Sequence, residues 1–130
     1  MVTIEERYNE RFGNSREWYE EGKSRFAGGM THQGRFVSPF PIVVERADGP
    51  FKYDVDGNKI IDYMMGHGSL LMGHNPPAVT EAVKAQIDSG THLGGHTTHE
   101  IRYGRVVQEL MPSLERVRFT CSGTESTYLA

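Results

Sequence analysis

The sequence predicts an α/β chain: a leading helix, a three-stranded antiparallel meander, then the start of a larger α/β domain. Three observations predict it. Apolar residues at four-residue spacing open the chain. Three short β-rich runs separated by turn residues fill the stretch 42–63. After residue 75, two helical patterns lead into an alternating run that turns through Ser122-Gly123-Thr124 towards a further helix. The chain is expected to divide into an N-terminal segment, 1–64, with the helix and meander, and a second segment, 65–130, that begins the larger α/β domain.

In the helix expected over 3–22, Ile4, Tyr8 and Phe12 share a face, Thr3 is placed to cap, and Glu5 and Glu6 complement the dipole in the first turn. Gly13-Asn14-Ser15 breaks or ends it, leaving Trp18 and Tyr19 for a second short helix. Ala27 to Arg35 is a loop by composition. Strands are expected at Ile42–Arg46, Phe51–Val55 and Lys59–Tyr63. Asp56-Gly57 joins the last two and is the strongest hairpin signal in the chain. Met64 to His74 is Gly-rich. Asn75 then caps a helix with Pro76 or Pro77 in its first turn; Val79, Ala82, Val83 and Ile87 keep helical spacing, and Gly90 ends it. After a Gly/His/Thr loop at 90–97, Thr97 and Glu100 form a capping box. Tyr103, Val106, Val107 and Leu110 give the buried stripe of a helix stopped by Pro112.

Val117, Phe119 and Cys121 alternate with Arg118 and Thr120, the period of a half-buried strand. A strand that turns through a small corner into a helix presents free backbone N–H groups and a positive dipole end, a ready place for a phosphate. The plainer alternative is a helix cap supplied by Ser122 or Thr124.

A net charge of −3 with both signs interspersed gives no electrostatic footprint for nucleic acid. No apolar run approaches membrane-spanning length, and Met1 to Arg7 lacks the apolar core of a signal peptide. A single cysteine rules out an internal disulfide and suits a reducing, cytoplasmic setting.

Four segments together resemble the N-terminal part of a class III aminotransferase, a pyridoxal 5'-phosphate (PLP) enzyme of fold type I, and in particular the glutamate-1-semialdehyde 2,1-aminomutase-like group. They are Gly28-Gly29 through Arg35; Gly49 through Tyr63, of the form G-x-x-x-x-D-x-D-G-N-x-x-I-D-Y; Gly73-His74-Asn75-x-Pro77; and Val117-Arg118-Phe119-x-x-Ser122-Gly123-Thr124-Glu125. The resemblance covers nearly the whole chain beyond its first twenty residues. It implies an enzyme that moves an amino group on an amino acid, keto acid or aldehyde, working as a homodimer. It also places the lysine that joins the coenzyme covalently outside these residues. The chain is therefore expected to be a fragment without activity of its own and to contain no catalytic residue.

By the same resemblance Ser122, Gly123 and Thr124 form the cup for the PLP phosphate. A dianion needs several donors without bulk, which small residues at a helix start provide. Arg35 matches an arginine facing the substrate carboxylate, where a guanidinium engages both oxygens; a solvated loop arginine is the alternative. His32 and His67 stand where aminomutase relatives carry a serine and a tryptophan near the substrate. They point to a different amino or keto acid, or else they are surface or capping residues. Residues 91–99 match a loop that covers the active site and helps form the dimer. His92 and His96 are four apart, but Gly94-Gly95 disfavours the helix a zinc pair would need, and no metal is expected. His74, Asp54 and Asp62 are read as structural, and Asp56 as part of its turn with Gly57.

Two rival readings fit the same residues. One is a phosphate- or nucleotide-binding module, although neither G-x-x-x-x-G-K-[ST] nor G-x-G-x-x-G occurs. The other is a non-catalytic dimerisation remnant.

Overall fold

The computed structural model describes residues 1–130 apart from the Gln33 side chain. The chain forms two compact units, Met1–Ala85 and Gln86–Ala130.

The first unit opens with α1 (Ile4–Arg11) and α2 (Gly13–Lys23), so the helix expected over 3–22 is two helices meeting at Phe12. Thr3 and Glu6 close a full capping box on α1. Phe12 supplies no side-chain cap for α2. That role falls to Asp56, whose carboxylate accepts the Asn14 amide at 2.7 Å, the Ser15 amide at 3.0 Å and the Ser15 hydroxyl at 2.6 Å. Asp56 does lie in its turn, but its side chain serves a distant helix start whose orphan amides would otherwise lack partners.

The meander is β1 (Val44–Asp48), β2 (Phe51–Asp54) and β3 (Lys59–Ile61), antiparallel in the order β1-β2-β3. Asp48 pairs with Phe51, and Phe51 with Ile61. All three expected strands are present, with the first displaced by two residues. An irregularity between Val44 and Arg46 interrupts pairing at its start. On this sheet the Arg46 guanidinium lies 3.5 Å from the Tyr53 ring centroid and the Lys59 ammonium 3.7 Å from that of Phe51. The small core gathers Tyr8, Phe12 and Phe40, with ring centroids 4.7 and 5.0 Å from Tyr8, and the Tyr8 hydroxyl donates to the Phe40 carbonyl at 2.7 Å. Ser15 is fully buried beside it; its hydroxyl accepts the Val43 amide while donating to Asp56.

Helix α3 (Pro77–Ser89) runs from the first unit into the second and stops at Gly90, as its apolar spacing predicts. Asn75 is not its side-chain cap. With φ of 52° it takes a left-handed conformation, and its side-chain Nδ2 donates instead to the Ala47 carbonyl at 2.7 Å.

The second unit holds α4 (Thr98–Leu110) and α5 (Gly123–Leu129). Thr97 caps α4, accepting the Glu100 amide at 3.3 Å. The stripe expected to be buried on α4 is not: Tyr103 and Val106 are exposed and Leu110 is 76% exposed. Among the described residues, 117–121 form no strand either. The alternation of side chains is present, but a strand needs a neighbour to share its N–H and C=O groups, and none pairs with it here. Phe119 stacks on Tyr103 at 4.9 Å, and the Gln108 side-chain Nε2 donates to the Glu115 carbonyl at 2.9 Å, so 111–120 folds back on α4. No described helix is long and apolar enough to cross a membrane.

Candidate functional site

The sequence-selected residues fall in three places. In the first unit, His32 and Arg35 flank a single 3-10 turn, Gln33–Arg35. The His32 Nδ1 accepts the Gly34 amide at 3.1 Å, which leaves its Nε2 carrying the proton, and the Arg35 amide donates to the His32 carbonyl at 3.0 Å. Among the described residues the Arg35 guanidinium reaches only Thr31 Oγ1, at a long 3.4 Å. Both side chains are exposed, so this turn presents an imidazole N–H and a guanidinium together.

His67 occupies a second place in the same unit. Met65, Gly66, His67 and Gly68 have φ of 41°, 60°, 58° and 84°, four successive left-handed residues. For a residue with a Cβ this conformation costs about 1–2 kcal/mol, so the surroundings must impose it. They do. The Gly68 amide donates to the carbonyls of Met64 and Met65 at 2.9 and 3.1 Å, and the Leu70 amide to that of Met65 at 3.0 Å. Gly66 has no room for a side chain: a Cβ would stand 2.9 Å from Ser69 Oγ and 3.1 Å from Leu70 Cγ. His67 is exposed, and no hydrogen bond or ion pair joins it to His32, Arg35 or any other described residue.

Beneath this loop lies a buried ionic cluster. The Asp62 carboxylate, 3% exposed, accepts from His74 Nε2 at 2.7 Å, from Lys52 Nζ at 3.0 Å and from the Met64 amide at 2.9 Å. Burial by itself would raise its pKa. The hydrogen bonds from His74, Lys52 and the amides of Met64 and Met65 outweigh burial and hold it far below the usual carboxylate range. His74 also exchanges both backbone hydrogen bonds with Gly49, at 2.8 and 3.0 Å. The structural reading of Asp62 and His74 therefore stands. What sequence reasoning missed is that they bind each other across the base of the Gly-rich loop. Asp54 is structural as well, accepting from the Asn58 amide at 2.7 Å.

The third place is the start of α5 in the second unit. The Ser122 side chain accepts the Glu125 amide at 3.1 Å, which makes it the helix cap, while its own hydroxyl proton stays free to donate. The amides of Gly123 and Thr124 and the Thr124 hydroxyl have no hydrogen-bond partner among the described residues. All three residues are exposed, and nothing lies within 4 Å of where a Gly123 Cβ would be. The Glu125 carboxylate turns back to accept the Cys121 amide at 2.9 Å.

In the loop at 90–99, His92, Leu93 and His99 line an open cleft with Gln86 and Glu100, and His96 Nδ1 lies 3.4 Å from Glu100 Oε2. Among the described residues no three His, Cys, Asp or Glu side chains converge as metal ligands.

Residues 33–130 match the family Aminotransferase class-III. The chain is 42% identical over 124 residues to a glutamate-1-semialdehyde 2,1-aminomutase from Chloroflexus aurantiacus, covering 93% of this chain and 28% of that one. Its fold superposes on a β-phenylalanine aminotransferase from Variovorax paradoxus with a TM-score of 0.89 at 29% identity, over 95% of this chain and 29% of that one. A transaminase with PLP bound gives 0.86 at 31% identity, over 91% and 28% respectively. The chain thus spans little more than a quarter of the length of the curated relatives it matches. The whole of the meander, the stapled loop and the start of α5 lies inside the matched region, and the chain belongs to the class III aminotransferase family.

Proposed function

We propose that this chain forms the phosphate-binding and substrate-facing part of a PLP-dependent aminotransferase or aminomutase. The observation that carries the reading is the open start of α5: two unpartnered amides, two hydroxyls and a position without a side chain, all at a helix N-terminus. These groups fit a phosphate. A dianion takes several N–H and O–H donors at once, and the helix dipole favours its charge. Support comes from the relative with PLP bound, to which the chain is 31% identical.

When bound, PLP supplies the electron sink that lets an amino group leave one carbon and join another. The chain's own residues do the holding. Ser122, Gly123 and Thr124 anchor the phosphate. Arg35 receives the substrate carboxylate through its planar fork of N–H donors. His32 and His67 offer polar contacts to the remainder of the substrate, in keeping with an amino or keto acid other than glutamate 1-semialdehyde. The full-length protein acts as a cytoplasmic homodimer, and the 130 residues by themselves are inactive in amino transfer. Residues 1–64 belong to the small domain and 65–130 to the large one.

Binding tests this directly. In the full-length protein, Thr124→Val removes a charge-assisted hydrogen bond of about 1.5–3 kcal/mol. PLP affinity should fall tenfold or more by spectral titration. Unchanged affinity would reject the phosphate cup. A purified full-length protein that shows no visible absorption band bleached by borohydride would favour the phosphate- or nucleotide-binding alternative.

A further inference from the structure

Residues 63–73 leave the sheet at Asp62 and return to it at His74, and these two side chains meet at 2.7 Å across the loop's base. Such a loop, closed at its neck and ordered by its own hydrogen bonds, is a compact Ω-type excursion. His67 stands near its tip, exposed and left-handed. A chain of hydrogen bonds connects base to tip. Lys52 on β2 and His74 bind the Asp62 carboxylate; Asp62 accepts the Met64 amide; the Met64 and Met65 carbonyls accept the Gly68 amide on the far side of His67. The His74 backbone is pinned in turn to Gly49, so the return strand of the loop cannot slide against the meander. An unfavourable backbone conformation persists only where its surroundings over-determine it, and this cluster is what does so for Met65 and His67.

We propose that the Asp62–His74 pair is the positioning device for His67, fixing the loop backbone that carries it so that the residue discriminates among amino- and keto-acid substrates. The proposal rests on the reading of His67 as a substrate-facing residue. Asp62 and His74 touch no substrate; they act through the loop backbone. A loop backbone already ordered has less freedom to lose when substrate arrives, so loosening the base should weaken binding more than turnover.

The test uses the full-length holoenzyme and the variants Asp62→Asn, His74→Gln and His67→Ala, with β-phenylalanine and glutamate 1-semialdehyde as probes. His74→Gln keeps the neck polar and serves if Asp62→Asn fails to fold. Amide hydrogen exchange of peptides within 63–73 should accelerate at least tenfold in His74→Gln while peptides within 4–23 stay unchanged. KM should rise about five- to tenfold for at least one probe, with kcat within twofold, and His74→Gln should add nothing in the His67→Ala background. Unchanged exchange over 63–73, or a KM effect that adds to that of His67→Ala, would overturn the positioning role while leaving His67 at the substrate. A His67→Ala variant with wild-type KM for both probes would instead overturn the underlying reading of His67, and the positioning role with it.

Discussion

Asp56 shows how one side chain can join two distant parts of the chain. Its three hydrogen bonds fasten the start of α2 to the β2–β3 turn, and through the Ser15 hydroxyl to the Val43 amide ahead of β1. Asp56→Ala should lower stability by about 1–2 kcal/mol, the usual worth of a helix cap, measurable by urea denaturation. Its pKa reports the same contacts. Burial raises it, but the Ser15 hydroxyl and the amides of Asn14 and Ser15 outweigh that and leave the carboxyl below its ordinary value. A depressed carboxylate contributes stability above its unfolded pKa, and loses it as pH falls through the folded one. Asp62 carries the same sign. Thermal stability should therefore be level from pH 7 to about 5 and decline below about pH 4. Asp56→Asn should show a smaller acid decline than the parent. An equal decline in both would remove Asp56 from the account.

The Gly-rich loop 63–73 is the element whose backbone is most constrained. Gly66→Ala meets both a left-handed φ and two close side-chain atoms, whereas Gly68→Ala meets the φ of 84° with nothing within 4 Å. Gly66→Ala should cost well over about 1 kcal/mol, and Gly68→Ala distinctly less, because only the first adds a clash to the backbone penalty. Equal costs would show that conformation alone decides. Other elements were legible from local chemistry: the Thr3 cap, the Asp56-Gly57 turn, the Pro77 start and Gly90 stop of α3 all operate within a few residues. Long-range partners were not legible. Nothing near Asp56 points to Asn14 and Ser15, more than forty residues earlier, and nothing near Asp62 points to His74. The alternation at 117–121 forms no strand and the apolar stripe of α4 is not buried, because a pattern states which face seeks cover and not what provides it. At the candidate site, the open amides at α5 follow from the Ser-Gly-Thr corner, while the left-handed His67 is a product of the stapled loop.

For the whole molecule, the two units differ in what they bury. The first has Phe12, Phe40, Ser15, Asp54 and Asp62 inside; in the second, none of the described residues is buried. The residues proposed to hold the phosphate belong to this second unit, and anchoring groups work only when held still. The 130-residue chain on its own should accordingly retain PLP weakly and lose it on desalting, leaving no coenzyme absorption with the protein. Retention of stoichiometric PLP through desalting would contradict this. The central claim is that the start of α5 grips a phosphate, and a crystal structure of the full-length protein grown with PLP tests it most directly. The account predicts phosphate oxygens about 2.7–3.1 Å from the amides of Gly123 and Thr124. A phosphate bound elsewhere, with those amides facing only water, would contradict it.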